Sequence, residues 1–144
     1  MTEPRPAYFD SSVVVKRYVS EQGSRVALRL LREHRPLSSA LLTVEILSAL
    51  RRRRSDLQPR DLSRIRARVR ADRDHWLVVE VTAEVLATAE AIVDSEGLRT
   101  LDAVHVASAV VLGRELGGAL RFVTADQEQA DAAAKLGLEV MVVQ

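Results

Sequence analysis

The sequence predicts an α/β fold in which a parallel sheet is covered by helices on both faces. Short, mainly apolar runs such as "AYF", "RFVT" and "EVMVV" read as strands, and such runs suit strands buried on both sides. Longer segments with apolar residues at helical spacing alternate with them. Turn and cap residues punctuate the boundaries. No internal repeat, low-complexity tract or linker interrupts the pattern, and 144 residues with 47% hydrophobic content suit one domain over positions 1–144.

The elements follow in order. Ala7 to Phe9 forms the first strand, which ends at Asp10. The next stretch, "SSVVVKRYVS", carries opposed signals: three valines favour extended backbone, whereas Ser11 and Ser12 read as a helix cap. Ser24 to Arg35 is helical, with Val26, Ala27, Leu30 and Leu31 on its apolar side, and Pro36 ends it. Leu37 and Ser38 leave room only for a brief strand. A strongly apolar helix runs from about Ala40 to Arg54, opened by serine and closed by four arginines at its negative dipole end. After Ser55, Asp56 and Pro59, residues 60–73 set Leu62, Ile65 and Val69 on one stripe among Arg60, Arg64, Arg66, Arg68, Arg70 and Arg73, the pattern of a basic amphipathic helix. Leu77 to Val81 reads as a strand, Ala83 to Asp94 as a helix ending near Gly97, and Leu101 to Leu112 as another ending near Gly113. The last two strands, "RFVT" and "EVMVV", flank a helix from about Gln127 to Lys135.

Composition removes several function classes. The chain has no cysteine, so a disulfide framework and any thiolate-held zinc or iron–sulfur site are excluded. The N-terminal "MTEPRPAYFD" has no apolar signal region, and no run approaches the roughly 18 uninterrupted apolar residues of a membrane span. A soluble, cytoplasmic protein with no membrane partner is the expectation. The net charge of +1 conceals a split: residues 1–73 carry 17 basic and 8 acidic side chains, whereas residues 74–144 carry 4 and 12. One half attracts phosphate, the other cations.

The acids form the constellation that carries chemistry. In open α/β sheets, ligands collect outside the carboxyl ends of the strands. Asp10 ends the first strand and Asp126 follows "RFVT", so both are placed at that edge. Glu45 and Asp102 lie early in two apolar helices and reach the same edge if those helices begin there. Carboxylates held so close resist ionisation unless a cation neutralises them. Oxygen donors without a histidine pair point to magnesium or manganese rather than zinc. Such an ion makes its water nucleophilic, so phosphodiester hydrolysis needs no Ser, Cys or His nucleophile. Each acid also has a plainer reading: a turn at Asp10, a first-turn dipole partner at Asp102, and a capping pair of Asp126 with Gln129. Glu45 resists one, since Leu41, Leu42, Val44, Ile46 and Leu47 surround it. His105, three residues after Asp102, is a candidate ligand but reads rather as a group behind the acids or as a core residue. His34 and His75 lie among charged residues and are expected to face water.

In order, "YFDSSVVVKRY", "TVEIL", "LDAVHVASA" and "VTADQEQADAAAKLGL" resemble the PIN-domain ribonucleases, most closely the VapC-type toxins of bacterial toxin–antitoxin pairs. The resemblance spans nearly the whole chain. It implies a three-layer α/β/α sandwich with a central, mostly parallel sheet, which places a helix after Asp10. Asp10, Glu45 and Asp102 match the family's three near-universal acids and Asp126 its more variable fourth. Ser12 and Thr124 match hydroxyl residues that support the metal or a substrate phosphate. The implied activity is magnesium- or manganese-dependent endoribonuclease action on RNA. The implied partners are a small antitoxin, laying a helix in an apolar groove, and a second copy of the chain in a homodimer.

Other readings remain. A dehalogenase-like phosphatase needs a second aspartate where this chain has Ser12, and a receiver domain needs an acidic pair before its first helix. A PIN-like module that binds RNA or protein without cutting is the alternative. The segment from Arg51 to Arg73 holds 10 arginines against Asp56, Asp61 and Asp72, and is read either as an RNA-backbone contact or as a solvated helix face. With 3% aromatic residues, phosphate and shape contacts outweigh base stacking.

Overall fold

The computed structural model describes residues 2–118 and 120–144. Five strands, β1 (Pro6–Phe9), β2 (Arg35–Ser39), β3 (Leu77–Val79), β4 (Arg121–Thr124) and β5 (Glu139–Val142), form one sheet in the order β3-β2-β1-β4-β5. All four pairings are parallel. Among the described residues seven α-helices connect them: α1 (Ser11–Val14), α2 (Ser24–Glu33), α3 (Leu42–Arg52), α4 (Pro59–Arg73), α5 (Ala83–Glu96), α6 (Thr100–Glu115) and α7 (Gln127–Lys135).

Alternation along the strands creates the three layers. In β1, Tyr8 points to one side, where it packs with Phe122, Ile92 of α5, Val106 of α6 and Ala133 of α7. Ala7 and Phe9 point to the other, against Val13 of α1, Leu30 of α2, Ile46 of α3 and Val69 of α4. Successive strand side chains face opposite ways, so a sheet covered twice must be apolar at every central position. The fully buried Ala7, Tyr8 and Phe9 meet that demand.

Asp10 ends β1, and the helix after it settles the conflict between valines and serines in a compromise. Only four residues, Ser11–Val14, are α-helical before a 3-10 turn over Val15–Arg17. The valines are buried in the core, while β-branching disfavours a longer helix. The serines do not cap it: Asp10 occupies the cap position, and its side chain makes no cap hydrogen bond.

Other boundaries differ for physical reasons. Pro36 lies inside β2 rather than merely ending α2. Arg35 donates its backbone N–H towards β1, to Arg5 O at 3.0 Å, and alternation turns the Pro36 nitrogen the other way. The β3 register begins only at Leu37, so no ladder bond is lost. No serine caps α3; Ser38 instead donates to Phe9 O at 2.6 Å, and Ser39 accepts from the Leu41 N–H. Helix α6 runs past Gly113 to Glu115 and is followed by the left-handed Gly117 and Gly118. His34 is buried, correcting the expectation that it faces water: one ring nitrogen lies 2.9 Å from Leu30 O and the other 2.9 Å from Arg121 Nη1. His75 is exposed.

The basic helix α4 is anchored by its one inward acid. Arg17 Nε and Tyr18 Oη both donate to Asp72 Oδ2, at 3.0 and 2.7 Å, and the Arg68 guanidinium lies 5.9 Å from the Tyr18 ring centre. Burial works against ionisation of Asp72, but these bonds and the charges of Arg17 and Arg68 outweigh it and hold the carboxyl below its ordinary range.

Gly113 is buried in α6, where an added Cβ would meet Leu120 Cβ at 3.6 Å and Leu138 Cδ2 at 3.9 Å, ordinary packing distances. Gly113→Ala should therefore raise stability by about 0.5–1 kcal/mol in urea unfolding, because alanine orders more cheaply in a helix. A loss of stability would show that the helices pack there too tightly for a methyl group.

Candidate active site

The strand order reverses direction between β1 and β4, and the crevice outside their carboxyl ends is where such sheets place ligands. A cleft of about 380 Å³ opens there, lined among others by Asp10, Glu45, Asp102, Asp126, Ser12 and Gln129. The four sequence-predicted acids thus line one cleft, although they come from the end of β1, the first turn of α3, the first turn of α6 and the cap of α7.

Asp10 is wholly buried. Its Oδ1 accepts from Ser12 Oγ at 2.6 Å, and its Oδ2 accepts from Thr124 Oγ1 at 2.9 Å and Gln129 Nε2 at 2.8 Å. Burial raises its pKa above the ordinary aspartate value; the charge of His105 and these three donors pull it back without cancelling the rise. Ser12 also accepts the Ala125 N–H at 3.0 Å, and Thr124 accepts the Asp126 N–H at 3.0 Å. Both hydroxyls therefore tie the β1 and β4 ends together around one carboxylate.

Asp102 is half-buried and takes 3.1 Å from the same Gln129 nitrogen at its Oδ1. Its pKa is raised by burial first, then by the negative charges of Asp126 and Asp10. Asp126 caps α7, accepting the backbone N–H groups of Glu128 at 2.8 Å and Gln129 at 3.3 Å. Its capping reading and its place in the cleft hold together, since one carboxylate oxygen serves the helix.

Glu45 stands apart in its partners. Its Oε1 accepts from His105 Nε2 at 2.6 Å and its Oε2 from Ser11 Oγ at 3.0 Å. The other His105 nitrogen shares a 2.7 Å hydrogen bond with the Tyr8 hydroxyl, and the Tyr8 ring stacks on Phe122 with centres 5.6 Å apart. Burial favours a neutral His105, but the hydrogen bond and charge of Glu45, with the charges of Asp10 and Asp102, raise its pKa on balance. A buried, charge-assisted pair on a packed aromatic support fixes the Glu45 carboxylate in direction.

The oxygen-only donor set suits a hard divalent cation. Among the described residues, no three His, Asp or Glu side chains are already gathered to hold an ion. The Gln129 amide lies between Asp10 and Asp102, and Glu45 is turned to His105 and Ser11. Gln129 and Ser11 are the site residues that sequence reasoning missed. Gln129 had one signal: a long amide among the buried Ala130, Ala132 and Ala133 of α7.

The fold and cleft together define an α/β domain with a carboxylate-lined crevice at the switch point of a parallel sheet. The chain belongs to the PIN-domain family, whose model matches residues 7–135. It is 38% identical over 135 residues to ribonuclease VapC46 of Mycobacterium tuberculosis (strain ATCC 25618 / H37Rv), covering 93% of this chain and 95% of that protein. Two solved structures share the fold at 14% identity. A toxin–antitoxin complex from Klebsiella pneumoniae superposes with a TM-score of 0.69, covering 96% of this chain and 98% of the other. VapBC-5 of the VapBC toxin–antitoxin family, from Mycobacterium tuberculosis, superposes at 0.63, covering 97% and 100%.

Replacing His105 by alanine strips a partner from the Glu45 carboxylate and the Tyr8 hydroxyl and opens a cavity. The expected cost is about 2–4 kcal/mol in urea unfolding, and a cost below about 1 kcal/mol would show that the histidine supports nothing.

Proposed function

We propose that this protein is a magnesium- or manganese-dependent endoribonuclease acting in the cytoplasm as the toxin of a toxin–antitoxin pair. The observation that carries the proposal is the meeting of Asp10, Asp102, Asp126 and Glu45 in one cleft. Its 38% identical relative is a ribonuclease, which supports the reaction class, and its structural neighbours belong to toxin–antitoxin systems, which supports the biological pairing.

Asp10, Asp102 and Asp126 are the groups that would hold the cation, with Glu45 at its margin. When bound, the cation supplies charge neutralisation, Lewis acidity at the phosphate and a water of lowered pKa. The chain's own parts in hydrolysis follow from the hydrogen bonds. Ser12 and Thr124 donate to Asp10, favouring its ionised form against burial, and aim its carboxyl. Glu45, braced by His105 and Ser11, either ligates the cation or orients the attacking water. Arg52 stands on the cleft wall, held among the described residues only by donation to Ser48 Oγ one turn back at 2.9 Å, and contacts the RNA backbone.

RNA approach is assigned to the surface from Arg51 to Arg54 rather than to the whole basic segment. Arg52 lines the cleft, and Arg51 and Arg54 beside it are exposed and, like Arg60 and Arg70 of α4, make no salt bridge among the described residues. The antitoxin is proposed to cover the cleft through its apolar rim, where Val44 is 67% and Leu101 47% exposed. The exposed Leu86 and Val93 on α5 support a homodimer, which sedimentation would detect and a purely monomeric profile would reject. Among the described residues no helix is long and apolar enough to cross a membrane.

Asp10→Asn should lower RNA cleavage at least about a hundredfold, and excess EDTA should do the same to the wild type. Equal cutting by the variant, or cutting that persists in EDTA, leaves the non-cutting, RNA- or protein-binding module as the better reading. Joint replacement of Arg51, Arg52 and Arg54 by alanine should flatten the logarithmic salt dependence of RNA binding by up to about 2. An unchanged slope would place the RNA elsewhere.

A further inference from the structure

Gln129 is 3% exposed and sits on the core-facing side of α7, yet its side chain reaches neither the backbone of its own helix nor solvent. Its amide nitrogen has two hydrogens. That nitrogen is 2.8 Å from Asp10 Oδ2 and 3.1 Å from Asp102 Oδ1, so both hydrogens are committed to two different carboxylates. The amide oxygen is buried and has no hydrogen-bond partner among the described residues.

An unmet buried acceptor is unfavourable, and an amide normally turns to avoid one. Turning this one would set its oxygen against both carboxylates. The orientation therefore follows from the acids: the amide leaves its oxygen unpaired because two negative groups need its hydrogens. Asp10 has Ser12 and Thr124 as further donors. Asp102 is hydrogen-bonded by no other side chain among the described residues.

We propose that the Gln129 amide and a divalent cation are alternative partners of the same two oxygens, so that Gln129 holds Asp10 and Asp102 together while the cleft is empty and yields when it is loaded. This rests on the metal-dependent reading above. An uncharged donor offsets like-charge repulsion only in part, whereas a cation removes it. The empty protein thus depends on Gln129 more than the loaded protein does. Removing the amide destabilises the empty state selectively, and linkage converts that difference into tighter cation binding.

The test compares the wild type with Gln129→Met, which keeps the length and bulk but has no N–H. EDTA-treated protein is melted with and without manganese chloride, and manganese affinity is measured by titration. The expected result is a lower melting temperature for the empty variant, a larger manganese-induced rise, and manganese affinity about fivefold or more tighter than in the wild type. Equal destabilisation of empty and loaded protein, or weaker manganese binding, would overturn the inference and make Gln129 a packing or permanent positioning residue. No manganese effect on either protein would instead reject the metal-dependent reading. Should Gln129→Met not fold, the same change is made beside Asp102→Asn, where one of the two charges is gone. Folding restored there supports the bridging role, and failure there too rejects it.

Discussion

The Asp10 carboxylate has no access to solvent, yet it sits where two central strands end and beside a second carboxylate bound to the same amide. A buried charge without compensation is among the costliest features a fold can hold. Much of the local architecture answers that cost. Thr124 ends β4 with a hydroxyl aimed at Asp10, Ser12 turns its own hydroxyl back to it, and α7 contributes Gln129. Even so, burial keeps the carboxyl's pKa above its ordinary value. Under the proposed metal-dependent reading, a cation in the cleft would offset this cost.

Two supports are built around this point on different principles. Asp10 and Asp102 are linked through the Gln129 amide, with Ser12 and Thr124 also donating to Asp10, while Asp126 is held by the backbone N–H groups it caps. Glu45 is instead pinned by a charge-assisted bond to a histidine embedded in the core, backed by Tyr8 and Phe122. The same strand, β1, serves both: Tyr8 supports the histidine from one face of the sheet, while the backbone beyond Phe9 delivers Asp10. That arrangement requires the sheet to be packed on both sides, since the face that carries Tyr8 and the face that carries α1 and α3 must each be fixed. The geometry of the cleft is a consequence of how completely the middle layer is buried.

The sequence makes the strand ends legible because apolar runs stopped by Asp10 and Thr124 are local signals. The early-helix acids Glu45 and Asp102 were legible for a related reason, charge inside apolar surroundings. What escaped was non-local. Pro36 reads as a helix stop, yet it is tolerated in β2 because the neighbouring strand starts one residue later. Gly113 reads as a helix end, but the helix continues because small size at a packed contact is compatible with either role. His34 sits among charged neighbours in sequence and is nevertheless buried against Phe9. Gln129 reads as half of a capping pair, and only the convergence of β1, α6 and α7 shows that its side chain serves two acids instead.

The proposed function requires that Asp10, Asp102 and Asp126, carboxylates from three separate elements, hold a divalent cation in the cleft. Anomalous scattering from a crystal grown with manganese tests it most directly. A peak in the cleft within ligand distance of Asp10 and Asp102 is the result expected. A crystal that holds manganese only elsewhere, with both carboxylates still turned to Gln129, would contradict it.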